Sequence, residues 1–336
     1  MQKLIEQLIN GMTVGSFYAL IALGYTMVYG VLSMINFAHG DIFMVGAYFG
    51  CFTITQLSKI GYTESNPILA IIFTFLAGAI GASLTGATVE RLAYRPLRKA
   101  SRLATLISAI GVSFFLQEFV RLIPRFGSMV SSIHFGDTNL FPESWRIAIV
   151  NVTQIFGGAM VKTYPGILGT GGIRIGEVVI SYSRILIMTI AIAIMILLYL
   201  LVRFTKLGKA MRAVSEDKDT AALMGINVNR IISNTFLIGS ALAGIAGVMV
   251  GIFYLQIRPT MGFTPGIKAF TAAVVGGIGN IPGAMIGGYL LGLAEVISIQ
   301  FLPAVYKDTV AFAILIIMLI VKPTGILGGS GGKNKL

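Results

Sequence analysis

The sequence predicts an all-α polytopic membrane protein. Of its 336 residues, 56% are hydrophobic and only 11% are charged, whereas an average soluble domain is roughly 25% charged. The mean hydropathy is +0.87, and long stretches contain no Asp, Glu, Lys or Arg. Because so few charges cannot provide a water-soluble surface, an ordinary cytosolic enzyme, a disordered chain and a nucleic-acid-binding module are all excluded.

Stretches without charges predict where the chain crosses the membrane, since a membrane helix needs about 20 mostly apolar residues. Eight full transmembrane helices and one broken or re-entrant segment are expected. Within the crossing at 266–299, a short half-helix, a turn and a full helix follow one another. The predicted crossings lie at about 8–30, 41–58, 67–90, 103–123, 184–203, 231–256, 266–299 and 308–322.

The distribution of basic residues orients these spans. Residues 91–102 hold five Lys or Arg and no acid, and residues 203–230 hold six against three acids. Both loops are therefore expected in the cytoplasm, together with the polar tail at 329–336. The loop 124–183, which contains Trp145, is expected outside, as is the N-terminus. Residues 1–336 form a single transmembrane domain, and the net charge of +12 reflects topology rather than nucleic-acid binding.

One predicted break in the membrane helices lies at residues 33–41. It places Asn36, His39, Gly40 and Asp41 between two apolar runs. Irregular backbone at membrane depth survives only where protein or a water-filled cavity covers it, and broken helices often mark substrate pathways in transporters. Two compatible interpretations stay open: these residues line the translocation pathway, or they form a turn in which Asp41 caps a helix that starts at Ile42.

A second predicted break is the Gly-rich segment 276–283. Here too the choice is between contact with the transported molecule and a purely structural re-entrant turn. The pathway candidates in this segment are Gly276, Gly277, Gly279, Asn280 and Pro282.

Glu118 and Glu295 lie in apolar surroundings. Because an acid inside a membrane is costly, each is a candidate for a functional role. For Glu118 the alternative is an ion pair with Arg121 on the same helix face. For Glu295 it is a partly hydrated position near the outer interface.

Gly-x-x-x-Gly patterns, such as Gly46 with Gly50 and Gly288 with Gly292, predict close helix packing.

The cytoplasmic loop 204–230 contains a short amphipathic segment. Ser215-Glu216-Asp217 is a helix N-cap signal, and Gly225 is a natural end for the small-residue helix that starts at Asp219. Such a helix fits a groove on a partner protein, although a solvated connector has the same composition.

The chain resembles the permease subunits of branched-chain amino-acid ABC importers, the LivH-like family. The resemblance rests on GYTMVYGVLSMINFAHGDIFMVGAYFG (24–50), LGKAMRAVSEDKDTAALMGINVNR (207–230), ALAGIAGVMVG (241–251) and FTAAVVGGIGNIPGAMIGGYLLGLAE (270–295). RPTMGF (258–263) and VKPTGILG (321–328) also fit, whereas the outer loop at about 127–180 matches least.

This resemblance implies that 207–230 is the coupling region toward ATPase subunits. Asp219-Thr220-Ala221 and Gly225 stand where many ABC permeases have E-A-A-x-x-x-G, with Asp for Glu and Thr for the first Ala. The implied coupling residues are Glu216, Asp217, Asp219, Thr220, Ala221, Ala222 and Gly225.

The resemblance also implies an importer of several subunits in the bacterial cytoplasmic membrane. A second related permease, two cytoplasmic ATPases and an external amino-acid-binding protein are the expected partners, besides the lipid bilayer. The chain has no G-x-x-x-x-G-K-[ST] motif, so ATP and Mg are expected only on the ATPases and no cofactor on this chain.

Three other kinds of function are compatible with a polytopic membrane protein: import of a different cargo, secondary transport or channel activity, and intramembrane catalysis. The same permease type serves equally for urea, short-chain amides or other amino acids. A secondary transporter or channel would have only Asp41, Glu118 and Glu295 for ion coupling or selectivity. An intramembrane enzyme would have only His39 and Asp41 as catalytic groups. A metal site is not expected, and the single cysteine, Cys51, permits no intrachain disulfide.

Overall fold

The computed structural model describes residues 2–98, 100–132, 134–135, 138–139, 142–169, 171–176 and 178–328. The polar tail predicted at 329–336 lies outside the described residues.

The described chain is a bundle of α-helices. Seven of them are long and apolar enough to cross a membrane, which confirms the predicted all-α polytopic class. In chain order the helices are α1 (Gln2–Leu32), α2 (His39–Lys59), α3 (Tyr62–Ser65), α4 (Pro67–Val89), α5 (Arg102–Ser131), α6 (Glu143–Phe156), α7 (Tyr182–Phe204), α8 (Lys206–Glu216), α9 (Lys218–Leu223), α10 (Val228–Tyr254), α11 (Phe263–Gly276), α12 (Ile281–Ser298) and α13 (Lys307–Val321).

Two helices differ from simple apolar spans. The 21-residue α2 has the length to cross a membrane but begins with His39 and Asp41. The 14-residue α11 is about 21 Å long at 1.5 Å per residue, so it spans only part of a hydrocarbon core of about 30 Å. It is the predicted half-helix, and α12 follows it after a short turn.

Helix α1 lies in the centre of the bundle, packed against α10, α11 and α12. It is antiparallel to α12, and glycines allow the two backbones to meet. A Cβ on Gly15 would lie 2.8 Å from the Cα of Tyr289, and one on Gly288 would collide with the backbone of Ala19. The Gly-x-x-x-Gly patterns therefore mark close helix contacts, as predicted.

Two segments form what we call the basic end of the bundle: residues 95–98 and residues 205–227. Arg98 donates hydrogen bonds to Glu90 and to Asn229 at the start of α10. Glu90 lies in a single π-helical turn, Glu90–Tyr94, that continues α4. The two basic loops thus meet at one end, as expected if both face the cytoplasm.

We call the opposite end the outer end. Its strands are β1 (His134–Phe135), β2 (Thr138–Asn139), β3 (Lys162–Thr163), β4 (Gly172–Ile175), β5 (Val178–Ser181) and β6 (Gln256–Ile257). The antiparallel pairs are β1 with β2, β3 with β6 and β4 with β5. The β3–β6 pair ties the outer loop to the segment after α10.

The outer loop begins later than predicted, because α5 continues through Pro124 to Ser131. A proline inside a helix leaves the carbonyl four residues before it without its usual donor. Here the amide of Gly158 donates to that carbonyl, on Val120, at 3.0 Å. This donor comes from a distant segment, so the helix boundary at 124 was a reasonable but wrong expectation.

Candidate functional site

The candidate coupling segment at the basic end consists of α8 and α9. Asp217 separates them and is the N-cap of α9: its carboxylate accepts from the amides of Asp219 at 2.8 Å and Thr220 at 2.9 Å. These backbone N–H groups hold the pKa of Asp217 below its usual range. The predicted N-cap signal is confirmed at Asp217, whereas Glu216 is the last residue of α8.

Helix α9 ends as the sequence predicts. Its last residue is Leu223, and Gly225 adopts a φ of +82°, where glycine is favoured over residues with a side chain. The amide of Gly225 donates to the carbonyl of Ala222 at 3.0 Å. Asp217 and Gly225 therefore delimit a helix of little more than one turn.

Helix α9 has one buried and several exposed small or apolar residues. Ala221 is 4% exposed and packs against the bundle, but Leu223 is 88% and Met224 79% exposed. Of the other predicted coupling residues, Glu216, Asp219, Thr220 and Ala222 are also exposed. The segment therefore offers polar and apolar atoms together on a surface beyond the membrane helices.

A direct contact joins α9 to the central helix. The ammonium of Lys218 donates to the carbonyl of Leu32, the last residue of α1, at 3.4 Å. A cation at this position stabilises the negative end of the helix dipole. Lys218 thus links α9 to the end of α1, where the first broken segment begins.

That first broken segment, residues 33–38, has no helical structure between α1 and α2. Ser33 has a φ of +57°, and Asn36 is 4% exposed and accepts a hydrogen bond from the hydroxyl of Tyr94 at 2.5 Å. Asn36 thus connects this segment to the turn that continues α4. A neighbouring void of about 10 Å³ has room for roughly one water molecule.

His39 and Gly40 are packed deep inside the bundle. The His39 ring is 1% exposed and lies edge-on to Tyr25, with ring centroids 4.7 Å apart. Gly40 contacts the backbone of Gly262, where a Cβ would collide with the carbonyl oxygen. These two residues hold the start of α2 against α1 and the residue before α11.

The alternative role predicted for Asp41, as the cap of a helix starting at Ile42, is wrong. Helix α2 starts at His39, and Asp41 lies within its first turn, 1% exposed. Its carboxylate accepts from the hydroxyl of Ser113 and from Nε2 of Gln117, the latter at 3.0 Å. Since a buried carboxylate needs such donors, Asp41 joins α2 to α5 instead of capping a helix end.

The second broken segment is a tight turn between α11 and α12. Gly277 and Gly279 have φ values of +109° and +92°. Asn280 caps α12 by accepting from the amide of Gly283 at 3.0 Å, and its Nδ2 donates to the carbonyl of Leu327 at 2.9 Å. Pro282 lies in the first turn of α12, a position that suits proline.

Residues 326–327 pack on this same turn. The amides of Ile326 and Leu327 donate to the carbonyls of Val275 and Gly276, at 2.8 and 3.1 Å. They satisfy backbone groups that would otherwise be unpaired at the end of α11. The predicted structural turn is therefore present, and contact of either broken segment with the transported molecule stays a prediction.

The two isolated acids have different surroundings. Glu118 forms the predicted pair with Arg121, at 2.5 Å, and its side chain is exposed. Glu295 lies toward the outer end of the bundle, in agreement with the prediction, but the predicted partial hydration is wrong, because Glu295 is 5% exposed. Its carboxylate binds Lys268 and the hydroxyl of Tyr18, each at 2.7 Å.

Sequence reasoning missed two ionic clusters, one around Lys268 and one around Glu90. Lys268, on α11, also lies 2.6 Å from Asp308 on α13, and Glu90 binds Arg98 and the hydroxyl of Ser233. A lysine inside an apolar run is unusual in itself, since a membrane-buried charge is costly. That signal points to Lys268, although nothing local identifies its partners.

The helices, the two broken segments and the exposed α9 define a polytopic α-helical membrane permease. A family model described as the permease component of the branched-chain amino acid transport system matches residues 7–319. The chain belongs to this family, which confirms the resemblance noted from its motifs.

Curated relatives match over nearly their whole length. The LivH permease of a high-affinity branched-chain amino acid transport system in Salmonella typhimurium is 45% identical over 96% of this chain and 95% of its own. The corresponding BraD protein of Pseudomonas aeruginosa is 46% identical over the same shares. A probable LivH permease of Methanocaldococcus jannaschii is 30% identical over 94% of this chain and 90% of its own.

Proposed function

We propose that this chain is a transmembrane permease subunit of an ATP-driven importer for leucine, isoleucine and valine. The proposal assigns it half of the translocation pathway and the transmission of ATPase movement to that pathway. Family membership supports the cargo class. The observation that carries the coupling role is α9, with Leu223 and Met224 exposed and Lys218 bound to the end of α1.

The proposed complex contains this chain, a second related permease, two cytoplasmic ATPases and an external amino-acid-binding protein. ATP and Mg bind the ATPases, and this chain binds no cofactor. Its membrane is the bacterial cytoplasmic membrane. This division of labour agrees with the lack of a phosphate-binding G-x-x-x-x-G-K-[ST] motif in the sequence.

Coupling in this scheme proceeds through contacts already present in the chain. An ATPase groove that holds α9 pulls or tilts it when the two ATPases close. Lys218 and the buried Ala221 transmit that displacement to α1 and to residues 33–38. Because cores are close-packed, the helices respond as rigid bodies rather than by local compression.

Co-purification of the ATPases tests the docking surface. Met224→Asp places a charge on the exposed end of α9, and we expect it to reduce the amount of ATPase retained with the permease. Met160→Asp is the matched control, because Met160 is 82% exposed against 79% for Met224 but lies in the outer loop. Equal ATPase recovery from both variants would contradict docking through α9.

A further inference from the structure

The outer end of the bundle contains a cavity of about 340 Å³. It lies where α10 ends, α11 begins and α12 passes to α13. Small-molecule sites have volumes of about 300 to 1,000 Å³, so this cavity has the size of a site for one small ligand. It is distinct from both broken segments.

One wall of the cavity carries charges of both signs. Lys268 is only 3% exposed, and its ammonium lies 2.7 Å from Oε1 of Glu295 and 2.6 Å from Oδ1 of Asp308. Tyr18 donates to Oε2 of Glu295 at 2.7 Å, and Arg258 also lines the cavity. The wall therefore offers binding partners to a cation and an anion side by side.

The Asp308 carboxylate retains capacity to bind a ligand. Its Oδ1 is buried and is occupied by the Lys268 ammonium at 2.6 Å. The Asp308 side chain is 43% exposed, in contrast to the buried Glu295. An ammonium group in the cavity would bind the exposed part of this carboxylate.

Apolar side chains also line the cavity. Val250, Ile257, Met261 and Pro265 line it, and the first three are less than one tenth exposed. A cavity lined by charges of both signs and by aliphatic side chains is complementary to a small zwitterion that carries a branched hydrocarbon side chain.

We propose that this cavity is an entry site for a free aliphatic α-amino acid on the outer side of the membrane. The amino acid's ammonium binds Asp308 and Glu295, its carboxylate binds Lys268 and Arg258, and its side chain lies on Val250, Ile257 and Met261. This inference rests on the proposed function, which it deepens by naming where the cargo first contacts this chain.

A ligand-protection experiment tests the entry site. Thr264, a half-buried residue of the cavity wall, is replaced by cysteine in a Cys51→Ala background. The permease complex in vesicles, without the binding protein, is treated with a water-soluble thiol reagent. At a leucine concentration of ~10 times the Kd, we expect modification of this cysteine to slow about tenfold.

The matched control is Ser132→Cys in the same background, an exposed position at the end of α5 that lies away from the cavity. Leucine should leave its modification rate unchanged. 4-Methylpentanoate, which lacks the ammonium, and 3-methylbutylamine, which lacks the carboxylate, should give little protection at position 264. Equal protection by either compound or by urea would overturn recognition of a zwitterion.

A charge change separates a binding role from a structural role. Glu295→Gln keeps the size of the side chain and one accepting oxygen, for either Tyr18 or Lys268, but removes the second acceptor and the negative charge. We expect it to abolish leucine protection at Thr264→Cys, whereas Glu118→Gln, at the exposed pair with Arg121, should retain it. Full protection in the Glu295→Gln variant would overturn the proposal.

Leucine uptake driven by the complete complex is measured separately in the same vesicles. Uptake without leucine protection would overturn the entry site and leave the proposed function intact. Protection without uptake would support the entry site and count against the proposed function.

Discussion

Two neighbouring residues, Asp217 and Lys218, position the coupling helix. Asp217 caps α9 and Lys218 binds the end of α1. The pKa of Asp217 is lowered in the folded protein, so its stabilising effect is fully present above the ordinary aspartate pKa of about 3.9. It is lost as the pH falls through the lower, folded-state pKa. At neutral pH the cap is therefore intact.

Removing the Asp217 side chain tests the role of the cap. We expect Asp217→Ala to reduce transport-coupled ATP hydrolysis, because α9 then lacks an acceptor for the amides of Asp219 and Thr220. Asp217→Asn should retain most of the activity, since Asn caps helices about as well as Asp. Equal loss in both variants would show that the charge, and not the cap, is what matters.

We expect the buried Lys268 to increase the free energy of unfolding. Lys268→Met leaves Glu295 buried without its cation, and breaking a buried pair costs about 3–5 kcal/mol. Arg121→Met breaks the exposed pair with Glu118, which is worth at most about 1 kcal/mol. Thermal unfolding in detergent should show a large decrease in Tm for Lys268→Met alone. Similar Tm values for the two variants would contradict a stabilising role for the buried pair.

Residue roles were predictable where the signal is local. Asp217 and Gly225 were identified from the sequence because a cap depends on neighbours within a few positions. Asp41 was not, because its donors Ser113 and Gln117 are far along the chain. The burial of Glu295 was missed for the same reason, since its partner Lys268 lies on another helix.

At the scale of elements, the end of α9 provides the sharpest test of coupling. Gly225→Glu introduces strain at a φ of +82° and a negative charge on the docking surface. We expect it to abolish transport-coupled ATP hydrolysis while membrane insertion stays intact.

The control for this variant is Gly61→Glu. Gly61 has a φ of +69° and, like Gly225, open space around it, but it lies between α2 and α3, away from the basic end. The Gly61→Glu variant should retain transport-coupled ATP hydrolysis. Unchanged coupled activity in Gly225→Glu would contradict the coupling role of this segment.

The broken segments are tested by their access to water. Asn36→Cys and Asn280→Cys, each in a Cys51→Ala background, should react with water-soluble thiol reagents in at least one transport state if these segments line the pathway. The unmodified chain is the control, because its one cysteine, Cys51, is 2% exposed. Inert cysteines at both positions in every transport state would count against pathway contact.

Helix positions followed largely from the sequence, because long charge-free stretches have few alternatives to a membrane helix. The boundaries were less predictable. Helix α5 passes Pro124 only because Gly158 supplies a donor to Val120. Helix α2 starts before Ile42 because Gly40 fits against Gly262. Both reasons lie in tertiary contacts that no local pattern reveals.

At the scale of the whole molecule, α1 connects the two functional ends. Its last residue, Leu32, binds the coupling segment through Lys218, and Tyr18 binds Glu295 at the wall of the outer cavity. The broken segments lie beside it, between these contacts. This arrangement suits a subunit that passes movement from the basic end to a pathway reached from the outer end.

The claim that this chain is a permease subunit of an ATP-driven leucine importer is tested by an uptake measurement. The complex is reconstituted in vesicles with its ATPases and binding protein, and uptake of labelled leucine is measured. We expect ATP-dependent accumulation of leucine, no accumulation of labelled urea, and loss of leucine uptake in Gly225→Glu. Accumulation of urea in preference to leucine, or leucine uptake that needs no ATP, would contradict it.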